Sequence, residues 1–157
     1  MKTATAKEIR STLENMPSHE LMPLILRLAR FKKENKELLT YLLFEANDEI
    51  SYIQAVKSVI DGHFEVINHD SLYFEKKSLR KILRVINRYA KYSEQPQTGV
   101  ELLTYFCHKI KEAAIPIEKS TALVNLYAGQ LKKIRKEIMA MHEDLQYDYL
   151  KELEKVS

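Results

Sequence analysis

The 157-residue chain carries 25 Lys and Arg against 22 Asp and Glu, a net charge of +3, with 45% hydrophobic and 30% charged residues. That balance fits an ordinary soluble globular protein, and three glycines with four prolines, beside abundant Leu, Ile, Glu, Lys and Ala, point to helices. One cysteine, Cys107, excludes an internal disulfide framework and suits a reducing cytosol.

At the N-terminus Lys7, Glu8 and Arg10 stand where a signal peptide needs an apolar stretch. The run LMPLILRLA contains Pro23 and ends between Arg27 and Arg30, far short of a membrane span. A cytoplasmic location is expected, with no membrane contact.

Thr5-Ala-Lys-Glu8 has the capping-box spacing and predicts a first helix ending before Pro17. Ser18 predicts a second, running to about Phe31, although Pro23 inside it argues for a start nearer Met22. Asn35 is a cap for a third, KELLTYLLFEA. Asn47 or Asp48 opens a fourth, in which Ile50, Ile53, Val56, Ile60, Phe64 and Ile67 recur at helical spacing.

After Asn68-His69-Asp70 comes a basic helix. SEQPQTG reads as a loop, and Thr98-Gly-Val-Glu101 as a second capping box opening a sixth helix that Pro116 ends. The last segment runs from about Ser120 towards Lys155, with a break near His142. No stretch alternates apolar and polar residues as a strand does. The expected fold is all-α, a single domain over 1–157, with about seven helices packed as antiparallel hairpins.

The word ELLTY occurs twice, at Glu37–Tyr41 and Glu101–Tyr105, each downstream of a basic, apolar phrase (Ile25 to Phe31, and Ile82 to Tyr89). Segments 25–43 and 82–107 therefore read as a duplicated helical hairpin. Such units resemble the HEAT- or armadillo-type right-handed α-α superhelix, with an irregular bundle as the alternative.

From Glu45 to Asp70 six acids face one base, Lys57, whereas from Glu75 to Tyr92 seven bases face one acid. On the basic helix Lys77, Lys81, Arg84, Arg88 and Lys91 fall within an arc of about 80° and span roughly 21 Å. Phosphates of a nucleic acid fit such a ridge, and Tyr73, Tyr89 and Tyr92 are candidates for stacking on unpaired bases. Two other readings stand beside this: a solvated face, or neutralisation by the acidic stretch 45–70. The cluster Lys132, Lys133, Arg135, Lys136 extends the patch if the fold brings it near.

Leu131, Ile134, Ile138, Met141 and Leu145 follow a heptad seam, a candidate for self-association or for docking into the parent bundle. Signals for chemistry are sparse. No two of the five histidines have metal-ligand spacing, and no catalytic residue, metal or cofactor is expected. Cys107 and His108 diverge by about 100° on a helix, against a nucleophile–base pair. His63, His69 and Asp70 would need a deep pocket to act as an enzyme site.

The stretches KKENKELLTYLLFEA, LYFEKKSLRKILR and HEDLQYDY resemble an uncharacterised family of small all-helical proteins from Bacteroidetes. The resemblance implies an all-α fold and carries no catalytic motif, so it transfers no functional residue. The expected function is a non-enzymatic interaction or scaffold protein that binds a protein partner or itself. The alternative is a nucleic-acid- or phosphate-binding module built on the basic helix 76–92.

Overall fold

The computed structural model describes residues 1–157 and is all-α, with eight helices. They are α1 Ala6–Glu14, α2 Ser18–Phe31, α3 Lys33–Thr40, α4 Glu49–Glu65, α5 Leu72–Ser93, α6 Pro96–Glu112, α7 Thr121–Met139 and α8 Glu143–Glu154. A π-helical turn, Tyr41–Glu45, follows α3, and a 3-10 turn, Ile117–Lys119, precedes α7. The eighth helix arises because the last segment breaks between Met139 and Glu143, where the His142 ring accepts from the Asp144 N–H. No helix is long and apolar enough to cross a membrane.

The chain divides into two compact units, Met1–Phe44 and Glu45–Ser157. In the first unit α1 opens with the capping box: Thr5 Oγ1 accepts from the Glu8 N–H, and the Glu8 carboxylate accepts from the Thr5 N–H at 2.7 Å. These bonds hold the Glu8 carboxyl below its ordinary range. Helix α2 begins at Ser18, not at Met22, with Pro17 in extended conformation as its cap and Pro23 accommodated inside. Asn35 does not cap α3, which starts at Lys33; its amide instead donates to the Leu28 carbonyl at 2.8 Å and closes the end of α2. None of the side chains of α1, α2 or α3 is buried.

The second unit has a conventional core built around α6, which packs on α4, α5, α7 and α8. Eight residues of α6 are buried, and Phe106 meets Phe64 of α4 with ring centroids 5.9 Å apart. Leu79, Ile82 and Ile86 of α5, Leu123, Ile134 and Ile138 of α7, and Leu153 and Val156 at the C-terminus complete it. Each such side chain contributes roughly 1.5–3 kcal/mol by burial.

Two boundaries differ from the sequence expectation. Only Glu94 and Gln95 remain of the SEQPQTG loop, because Glu94 turns the chain in the left-handed region and Pro96 fits the first position of α6. Thr98 is therefore inside α6 and does not cap it; its hydroxyl bonds Glu49 at the start of α4. At its other end α6 stops at Glu112, before Pro116, in a Schellman motif: Ala114 N–H to Lys111 O at 3.0 Å and Ile115 N–H to Ile110 O at 3.3 Å.

Candidate polyanion interface

Ser71 caps α5 through the Phe74 N–H, and the apolar positions Leu79, Ile82, Leu83 and Ile86 turn one side of the helix into the core. All seven bases of the helix are thereby left on the other side, within an arc of about 140°. Lys77, Arg80, Lys81, Arg84 and Lys91 are exposed and make no salt bridge; Lys76 and Arg88 are half-buried. Lys76 lies over the Tyr73 ring at 6.0 Å and Arg88 over the Tyr89 ring at 5.4 Å.

Several carboxylates of the acidic stretch have partners away from the exposed bases of the ridge. Glu49 bonds Ser93, Gln95 and Thr98; Asp48 caps α4 through Ser51; Asp61 takes the Tyr105 hydroxyl at 2.7 Å and Lys109 at 3.3 Å. The one acid of the helix itself, Glu75, is buried and pairs with His69 at 2.8 Å. On α4, His63 lies within electrostatic reach of Lys81 and Arg88. Burial first, and then these two cations, lower its pKa, so it stays neutral at pH 7.

Tyr73, Lys76, Lys77, Arg80, Leu83 and Arg84 line an open concavity of about 490 Å³. Of the five ridge residues expected from the sequence, Lys77 and Arg84 line it, while Lys81 and Arg88 lie towards His63. Lys76 and Arg80 were missed, although the same helical projection places them on the flank of the arc. Among the aromatic candidates Tyr73 is exposed beside the basin, but Tyr92 is turned inward, edge-on to Tyr89 at 5.8 Å, and is unavailable for stacking.

The fold also brings in part of the second basic cluster. Lys133 on α7 donates to Asn87 Oδ1 at 2.8 Å, and Asn87 sits within the basic arc of α5. Lys132, Arg135 and Lys136 are exposed on the same helix.

The remaining candidates have other surroundings. In the C-terminal seam Ile134 and Ile138 are fully buried in their own unit, which reduces the surface available for self-association there to Leu131, Met141 and Leu145. Cys107 is buried and its thiol is pushed up to about 12, away from nucleophile behaviour. No group of three or more His, Cys, Asp or Glu side chains is gathered to hold a metal ion.

A second open concavity of about 390 Å³ between α4, α6 and α8 is lined by Lys57, Glu101, Tyr105, His108 and Tyr149. Asp148 and Glu152 also line it, so its acids outnumber its one lysine; Lys57 pairs with Glu101 at 3.5 Å, and Tyr149 donates to Glu101 at 3.2 Å. Comparison of the chain with protein-family models, curated proteins and solved structures finds no match in any of the three.

Proposed function

We propose that the protein acts by binding rather than by catalysis, and that its second unit holds a phosphate-bearing polymer, a nucleic acid, across α5 and the adjoining edge of α7. The observation that carries this reading is the absence of any carboxylate partner for Lys77, Arg80, Lys81, Arg84 and Lys91, beside a core that uses only the opposite face of the helix. From Lys76 to Lys91 the ridge extends about 22 Å, the rise of roughly six phosphates along one strand. Arginine suits bidentate phosphate contact. Tyr73 at the rim of the basin supplies a stacking surface for an unpaired base.

The test is fluorescence anisotropy with single- and double-stranded oligonucleotides at several salt concentrations, comparing wild type with Lys77→Glu/Arg80→Glu/Arg84→Glu. Contact with about five phosphates gives a log–log salt slope near −4.5 on duplex DNA, and the triple variant loses binding. A wild-type protein that fails to bind at low salt sinks the proposal. A scaffold role, in which the chain associates with a protein or with itself, is favoured by a different observation, the uncovered apolar surface of the first unit.

A further inference from the structure

Helix α2 is apolar around most of its circumference. At about 100° per residue, Leu21, Ile25, Leu28 and Ala29 centre a face that Leu24, Leu26 and Phe31 widen to roughly 220°, with Glu20, Arg27 and Arg30 confined to the remainder. A helix of that character is ordinarily enclosed by several neighbours. Within its unit α2 packs on α3, and the groove between them, about 290 Å³, stays open. It is lined by Ile25, Leu28, Ala29, Leu38, Leu39 and Leu42, with no charged side chain. The one polar group there, Asn35, has its amide on the Leu28 carbonyl.

The two ELLTY helices differ in what covers them. In α6 the leucines of the word, Leu102 and Leu103, are 0% and 2% exposed, packed within the second unit. In α3 the same pair is Leu38, 37% exposed, and Leu39, half-buried. The sequence pattern of a covered hairpin is therefore present in the first unit without its cover.

We infer that this face is the interface of a homodimer, in which two α2–α3 hairpins close into a four-helix bundle. The area fits. Nine apolar side chains from Met22 to Leu43, each 37% to 76% exposed, amount to on the order of 900 Å², against the ~800 Å² each partner gives to a stable interface. A single apolar peptide would fill the groove yet leave Met22, Leu26 and Phe31 uncovered; a second hairpin reaches across both helices. An uncharged apolar face is also self-complementary, as a two-fold contact requires. A unit of this size without a core of its own commonly gains one by oligomerising. The inference uses residues of the first unit alone and stands whether or not the second unit binds nucleic acid.

The experiment is light scattering of the full chain over a wide concentration range. Wild type is expected at twice the 18.4 kDa of one chain. Ile25→Glu/Leu28→Glu is expected to be monomeric with the near-ultraviolet spectrum of the second unit unchanged, and Leu145→Glu, in the C-terminal seam, to remain a dimer. Because the charged variant can also unfold the hairpin, Leu28→Cys provides a second reading. Cys107 is fully buried, so a short bis-maleimide reacts at position 28 and is expected to give a covalent dimer. A wild type that stays monomeric throughout overturns the inference. So does a dimer that tolerates both glutamates, or one that gives no cross-link at position 28.

Discussion

Thr98 in the first turn of α6 donates its hydroxyl to the carboxylate of Glu49, the first residue of α4. Ser93 donates to the same carboxylate oxygen, so one anion gathers the end of α5 and the starts of two other helices. It lies at two helix N-termini, where the dipoles favour a negative charge. Thr98 is fully buried, and Thr98→Val keeps its shape while removing a hydrogen bond to a charged group. A loss of about 1.5–2 kcal/mol is expected, read as a lower urea midpoint with unchanged slope.

Ala114 occupies the left-handed position of the Schellman motif that ends α6, with φ of 51°, and is exposed. A side chain with a Cβ is strained there and glycine is not. Ala114→Gly is expected to stabilise the second unit by about 1 kcal/mol, against the usual direction for a glycine substitution. A calorimetric Tm that falls instead would contradict this.

Alkali should weaken the second unit before it reaches the unfolded-state range of lysine. Burial raises the Cys107 thiol from 9.0 to about 12. Burial, with the neighbouring Asp61 and Glu101 carboxylates, raises the Tyr105 and Tyr149 hydroxyls from 10.0 to about 12. Above pH 9 the unfolded chain releases these protons more readily than the native one, so it binds fewer, and stability falls as pH rises. The contribution is complete below about pH 9 and is lost between 9 and 12. Urea midpoints measured on either side of that window give the slope, and Cys107→Ala should flatten its lower part.

Apolar truncation should act differently in the two units. Ile138 is fully buried, and Ile138→Ala is expected to cost about 3 kcal/mol of unfolding free energy. Ile25 is 45% exposed, and Ile25→Ala is expected to leave unfolding of the second unit within about 0.5 kcal/mol of wild type. The pair can be compared in urea by the tyrosine signal.

If α7 shares in polyanion contact, Lys133→Ala reduces the magnitude of the log–log salt slope by about one, without changing preference among oligonucleotides of equal length. An unchanged slope would confine the interface to α5.

The sequence patterns located most helices, because caps and apolar spacing are local. Thr5, Asp48, the recurrent isoleucines of α4 and the break near His142 all lie where their neighbours along the chain place them. The misplacements are cases in which a distant group or a stronger local signal took over. Pro96 set the start of α6 three residues earlier and released Thr98 to Glu49, forty-nine positions away. Asn35 turned back to a carbonyl of the preceding helix. Lys76 and Arg80 were visible in the helical projection once a wider arc is allowed, whereas Lys133 reaches Asn87 on the basic helix only through the placement of α7. Opposite charge on successive segments suggested mutual pairing; Asp61 bonds Tyr105 and Lys109 of α6, and Glu49 bonds Ser93 at the end of α5 as well as Gln95 and Thr98.

Every substantial helix–helix contact of the second unit joins helices adjacent in sequence or one apart: α4 with α5 and α6, α5 with α6, α6 with α7 and α8, and α7 with α8. Chain closure on folding therefore spans at most one intervening helix, and contact order is low. Domains of that kind reach the native state in microseconds to milliseconds, with α6 as the natural nucleus because each of the other four helices docks on it. Truncations in Leu102 or Phe106 should then slow refolding, and truncations in Leu153 should chiefly hasten unfolding.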